Sequence, residues 1–152
     1  DEGLKPIGLG ARDTLRIEAC YPLYGHELNE SITPIEANFG WAVKTEKPDF
    51  IGKPILKRQK EQGTDRILVP FEMLERGIPR EHYDVFANHE NNEKIGYVTS
   101  GTFSPTFRKP LGMALIKTAF SQIGNTITIK IRDKFCNAVI VKRPFYKYNG
   151  GK

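Results

Sequence analysis

From Arg66 onward the sequence is a series of short β-prone segments divided by turn residues, and this series constrains the fold more than any other feature. Arg66–Met73 alternates loosely between apolar and polar side chains, and Tyr83–Ala87 is a second such run. A polar turn over Asn88–Glu93 follows, then Lys94–Thr102, Leu111–Lys117, Thr126–Arg132 and Phe135–Lys142. Segments rich in β-branched and aromatic residues at this spacing argue for a small antiparallel barrel or sandwich. A strand-rich unit of about eighty residues is large enough to hold its own core.

The first sixty residues read differently. Residues 8–20 form a helical pattern in which Leu9, Leu15 and Ala19 share one face while Arg12 and Arg16, four apart, share another. Asp13 is read in its first turn, where a carboxylate suits the positive end of the helix dipole. Pro22 stops the pattern. Thr33-Pro34-Ile35-Glu36 has the form of a cap with proline at the first helical position. Gly40–Lys44 is short and β-prone, and Gly52-Lys53-Pro54 opens a second helix that runs to Gln62 and stops at Gly63. A domain boundary is therefore expected near 62–66, and no internal repeat is evident.

Charge divides the 152 residues further. The net charge is +5, but from Arg108 to Lys152 ten Lys and Arg face a single acid, Asp133. So basic a segment predicts an acidic partner (a protein, a polyanionic cofactor tail or nucleic acid) or else a solvated face. No apolar run approaches membrane-span length, and the N-terminal residues lack the pattern of a secretory signal. The two cysteines, Cys20 and Cys136, are far apart and read as buried free thiols of a reducing compartment. His26, His82 and His89 show no ligand spacing, so no metal site is expected.

Catalytic motifs of the serine-hydrolase, metalloprotease and P-loop types are absent, and Gly8-Leu9-Gly10 lacks the third glycine of a dinucleotide fingerprint. Arg12 and Arg16 are the residues of chemical interest, because a guanidinium fork binds a carboxylate through two parallel hydrogen bonds. For Arg16 a structural salt bridge is the favoured reading. Tyr21 and Tyr24 are able to stack on a heterocycle, although general burial behaviour favours plain packing. Thr99–Thr106 reads as a strand ending in a structured loop. Lys142, Arg143 and Lys147 interleave with Phe145 and Tyr146, a mix that suits single-stranded nucleic acid but is weak alone.

Four segments resemble the glycine cleavage system T-protein family of aminomethyltransferases, in the family's order. They are Gly8–Leu28; Thr33–Glu36 through Gly40–Lys44 with Asp49–Lys53; Gly96–Gly101 with Ser104–Thr106; and Val141–Tyr146. The first, which contains Gly8-Leu9-Gly10-Ala11-Arg12-Asp13 and ends in Leu23-Tyr24-Gly25-His26-Glu27-Leu28, is the most specific. The resemblance implies an α+β chain that is the C-terminal portion of a three-domain enzyme. Residues 1–64 would end a ferredoxin-like middle, folate-binding domain, and residues 65–152 would be a small antiparallel β-barrel or jelly roll.

The same resemblance implies a reaction in which lipoylated H-protein, an acidic carrier, supplies an aminomethyl group, ammonia is released and tetrahydrofolate accepts the carbon. It carries Arg12 and Tyr21 over as folate-binding residues. It places the key aspartate in a preceding N-terminal portion, so no catalytic residue is assigned here and this chain alone is expected to be inactive. Tetrahydrofolate acts as co-substrate, the lipoyl group comes from the partner, and neither a metal nor a membrane is implied; nucleic acid is disfavoured. The compartment would be the cytoplasm of a bacterium or the mitochondrial matrix of a eukaryote. The rival reading is a non-catalytic basic β-barrel that binds an acidic protein or nucleic acid.

Overall fold

Six strands close into an antiparallel barrel because the last strand returns to pair with the first. The computed structural model describes residues 2–88 and 93–147. The strands are β1 (Arg66–Met73), β2 (Asp84–Phe86), β3 (Lys94–Ser104), β4 (Lys109–Lys117), β5 (Thr126–Ile131) and β6 (Lys134–Ile140). Their order around the barrel is β1-β4-β3-β2-β5-β6. Closure is made by Phe71, Glu72 and Met73 of β1 opposite Ile140, Val139 and Ala138 of β6. It leaves no unpaired barrel edge to recruit another chain. The expected strands all form, with end shifts of one or two residues; the polar turn expected over Asn88–Glu93 falls largely on 89–92, outside the described residues.

Side chains of period two fill the barrel. Val69, Phe71 and Met73 of β1 meet Ala114 and Ile116 of β4, Ile127 and Ile129 of β5, and Ala138 and Ile140 of β6. β4 is buried from Leu111 through Ile116 because both its faces are covered. Ala114 and Ile116 point inward, whereas Leu111 and Met113 point outward into a second cluster with Ile17, Cys20 and Leu68. Phe145 and Phe107 pack against that second cluster. Gly112 makes room for the interior: an added Cβ would lie 2.8 Å from Cζ of Phe71 and 2.7 Å from the Ser100 carbonyl oxygen.

Residues 2–62 wrap the outside and carry two helices, α1 (Leu9–Glu18) and α2 (Lys53–Gln62). α2 begins after Gly52 in the left-handed region and ends at Gly63, φ 83°, as its glycine and proline positions require. Thr33 and Glu36 form a reciprocal cap: the Thr33 amide donates to Glu36 Oε2 at 2.9 Å and the Glu36 amide donates to Thr33 Oγ1 at 3.2 Å. The β-prone Gly40–Ala42 is instead a 3-10 turn. Among the described residues no strand pairs with it, and the Phe39 and Trp41 rings meet at a tilt of 53° with centroids 4.7 Å apart across the turn, so side-chain contact overrides β-propensity.

Candidate functional site

α1 lies on the barrel through the buried Ile17 and a set of polar contacts rather than through its leucines. Leu9 and Leu15 are 83% and 68% exposed, so the face they share looks outward. The opposite face meets a row of hydroxyls on β3. Arg16 Nη2 donates to Ser100 Oγ at 2.8 Å, Thr14 Oγ1 lies 3.3 Å from Thr102 Oγ1, and Ser104 Oγ donates to Glu18 Oε1 at 2.5 Å. Glu18 also accepts from Thr106 Oγ1 at 2.8 Å. The hydroxyl-rich Thr99–Thr106 stretch is thus the docking rail for the helix.

A β-bulge builds that rail. Val98 pairs with Ala114 and Ser100 with Met113, so register shifts by one residue at Thr99. Without the extra residue Val98 and Ser100 would share a face; with it Val98 enters the core and Ser100 turns outward. The Thr99 hydroxyl is satisfied by donating to the Met113 carbonyl at 3.1 Å.

Glu27 is fully buried at the centre of this docking. It accepts from Arg16 Nη1 at 2.9 Å, from the Leu23 amide at 3.0 Å and from Ser100 Oγ at 2.6 Å. Arg16 Nε also donates to Asp13 Oδ1 at 2.7 Å. Arg16 is therefore the structural salt bridge that its sequence position suggested, with Glu27 and Asp13 as partners. Asp13 does not sit in the first turn as read from sequence, because the helix starts at Leu9; its carboxylate serves Arg16. Glu27 was not singled out from sequence, and neither Glu18, which accepts from Ser104 and Thr106 and not from Arg16, nor Ser100 was given a part in docking the helix. Their signal, an acid or hydroxyl at a position that becomes buried, exists only once the barrel is built.

Arg12, four residues from Arg16, is exposed and makes no side-chain hydrogen bond or ion pair among the described residues. Tyr21 is 56% exposed and stands edge-on to Phe39, ring centroids 6.2 Å apart. With Trp41, Asn38, Arg143 and Tyr146 it lines an open cleft of about 700 Å³. Arg12 does not line that cleft, so the two predicted ligand residues flank α1 without converging in one pocket of this chain. Tyr24, at 73% exposure, points away from the core.

Arg143 is not free for a nucleic-acid phosphate. Its Nη2 donates to the Cys20 carbonyl at 3.0 Å and its Nη1 to the Asn38 carbonyl, tying the segment after β6 to the exit of α1. The Tyr146 amide continues the tie by donating to the Glu18 carbonyl at 2.8 Å. Cys20 and Cys136 are both buried free thiols. Burial pushes each thiol above its ordinary value; the Phe145 backbone and Arg143 pull Cys20 the other way. His26 Nδ1 lies 2.9 Å from Glu81 Oε1, His82 is largely exposed, and His89 lies outside the described residues. Among the described residues no group of three His, Cys, Asp or Glu is placed to hold a metal ion, and no helix is long and apolar enough to cross a membrane.

A closed antiparallel barrel flanked by a charged helix, with one arginine locked and its neighbour free, defines a small-barrel α+β protein with a charged helical N-terminal flank. The family model described as the glycine cleavage T-protein C-terminal barrel domain matches residues 66–147, and that described as the GCVT N-terminal domain matches residues 1–47. The chain belongs to the glycine cleavage T-protein family. It is 59% identical over 149 residues to an aminomethyltransferase of Caldanaerobacter subterraneus subsp. tengcongensis, covering 98% of this chain and 39% of that protein. It is 57% identical to an aminomethyltransferase of Geobacillus sp. (strain WCH70), covering 97% of this chain and 40% of that one. The crystal structure of glycine cleavage system aminomethyltransferase T from Bartonella henselae superposes with a TM-score of 0.84 at 31% identity, over 92% of this chain and 39% of that one. The chain thus spans about two fifths of the length of the curated relatives it matches.

Proposed function

We propose that this chain serves a tetrahydrofolate-dependent aminomethyltransferase of the glycine cleavage system. In this reading lipoylated H-protein presents an aminomethyl group, ammonia leaves, and the carbon passes to tetrahydrofolate as the methylene adduct. Residues 1–64 supply the end of the middle, ferredoxin-like folate-binding domain and residues 65–152 the C-terminal barrel. The observation that carries the reading is identity of 57–59% to aminomethyltransferases across 97–98% of the chain. The reaction belongs to the cytoplasm of a bacterium or the mitochondrial matrix of a eukaryote.

The chain's own part is binding rather than proton transfer. Arg12 is exposed and uncommitted, so its fork is available to an anionic group of the folate. Tyr21 offers a ring and a phenol at the other end of α1. The buried Arg16–Glu27 pair holds the helix between them on the barrel. The acid of the reaction is assigned outside these residues.

The test is folate affinity and turnover of the complete enzyme carrying Arg12→Ala. A hydrogen bond to a charged group contributes about 1.5–3 kcal/mol, so affinity should fall roughly ten- to a hundredfold. Unchanged affinity and unchanged turnover would remove Arg12 from the site. The 152-residue chain alone should release no ammonia from aminomethylated carrier in the presence of tetrahydrofolate; release would place the acid within it. In the nucleic-acid alternative, Arg143 is not available to a phosphate, because it is tied to the Cys20 and Asn38 carbonyls.

A further inference from the structure

Tyr21 and Phe39 each follow a residue whose backbone turns left-handed. Cys20 and Asn38 both have φ of 55°, a region that asparagine visits readily but cysteine holds only where its surroundings fix it. The two rings that leave these turns meet edge-on, with planes 85° apart and centroids 6.2 Å apart. Trp41 meets Phe39 at a tilt, centroids 4.7 Å apart. The cleft of about 700 Å³ lined by Tyr21 and Trp41 therefore owes its aromatic side to two turns that are separate in the chain.

One guanidinium joins the two turns. Arg143 Nη2 donates to the Cys20 carbonyl at 3.0 Å and Nη1 donates to the Asn38 carbonyl, so its acceptors are the two left-handed residues themselves. A planar fork with prongs in fixed relation sets the spacing of two carbonyls, which an ammonium, a single point of charge, does not. The segment that carries Arg143 is anchored on both sides. The Val141 amide donates to the Pro70 carbonyl of β1 at 3.0 Å, the Tyr146 amide donates to the Glu18 carbonyl at 2.8 Å, and Phe145 packs against the cluster of Ile17 and Cys20. The second turn is held on β1 as well, where the Leu68 amide donates to the Glu36 carbonyl at 2.7 Å. The barrel thus reaches both rings through one side chain.

We infer that Arg143 is a positioning residue for folate binding, which acts by holding Tyr21 at the cleft rather than by pairing with a charge of the folate. Two of its donors are spent on backbone carbonyls, and those carbonyls belong to the turns that aim the rings. A ring fixed before its ligand arrives loses little freedom on binding, so loosening the clamp lowers affinity without removing a contact atom. The inference rests on the reading in which Tyr21 binds tetrahydrofolate, and it adds to that reading the residue that makes Tyr21 competent.

The experiment is titration of the complete enzyme with tetrahydrofolate, together with the KM for aminomethylated carrier. It compares the parent, Arg143→Met, Arg143→Lys, Tyr21→Ala and the Arg143→Met/Tyr21→Ala double variant, each checked for folding by circular dichroism. Where Arg143→Met does not fold, the same cycle is run with Arg143→Lys. Arg143→Met should weaken folate binding at least about fivefold, and Arg143→Lys, which keeps the charge, at least about threefold, while the carrier KM moves less than about twofold. In the Tyr21→Ala background Arg143→Met should add less than about twofold, because the ring it positions is gone. Its full effect in that background, parent affinity in Arg143→Met or Arg143→Lys, or an equal rise in carrier KM would each overturn the positioning role while leaving the folate reading intact. Parent affinity in Tyr21→Ala would overturn the folate role of Tyr21 and the inference with it. Failure of the complete parent enzyme to bind tetrahydrofolate would overturn the proposed function itself.

Discussion

Removing the Glu27 carboxylate should separate the wrapping segment from the barrel. In Glu27→Ala the Arg16 guanidinium, whose side chain is 10% exposed, loses its buried partner, and the Leu23 amide and Ser100 hydroxyl lose their acceptor. Breaking a buried ion pair costs about 3–5 kcal/mol. Asp13, 45% exposed, remains beside Arg16 and screens part of that loss, so about 3 kcal/mol is expected. With a urea dependence of about 2 kcal/mol per molar, the unfolding midpoint should fall by roughly 1.5 M. The sole tryptophan, Trp41, in tilted contact with Phe39, reports the wrapping segment by fluorescence, and far-ultraviolet circular dichroism reports the barrel. A cycle with Arg16→Met isolates the pair, and a coupling of at least about 1.5 kcal/mol is expected. A destabilisation below about 1 kcal/mol, or a coupling near zero, would refute the claim that this buried pair holds α1 to the barrel.

Other perturbations test separate joints. Gly101→Ala would place a methyl 2.4 Å from the Pro79 carbonyl oxygen, and overpacking of this kind costs about 1–3 kcal/mol; chemical denaturation indistinguishable from the parent would contradict the close approach. Arg143→Ala frees the carbonyls of Cys20 and Asn38 and should expose the segment after β6 to limited proteolysis well before the barrel is cut; parallel cleavage of both would argue against the tie. The raised thiols give a pH dependence with a definite sign. Folded Cys20 and Cys136 keep their protons at pH values where the unfolded chain ionises, so stability should fall as pH rises through the ordinary thiol range towards their raised values. Replacing both by alanine should flatten that alkaline limb, and an unchanged limb would show that other groups cause it.

Much of the fold is legible locally. β1 is readable from Arg66 to Met73 because loose alternation ends at charged turns, and α2 from Lys53 to Gln62 because Gly52, Pro54 and Gly63 specify its ends in backbone terms. Gly40–Ala42 is not readable, because Trp41 and Val43 favour a strand wherever a partner strand exists, and here none does. The candidate site is half legible. Arg12 and Tyr21 stand out through the segment that contains them, yet nothing in the spacing separates the free Arg12 from the locked Arg16.

The sequence by itself determined the elements, the two buried thiols and the family, since each depends on side-chain period, turn chemistry or a contiguous run of residues. The tertiary structure alone decided which face of α1 is buried, which way Ser100 points and which arginines remain open. Those outcomes depend on contacts such as Arg16 to Ser100, 84 residues apart in the chain, and on a single-residue bulge at Thr99. Helical and strand periods state which residues share a face. Only barrel closure states what that face will meet, because the partner of each charge is set by register between distant strands rather than by its neighbours in sequence.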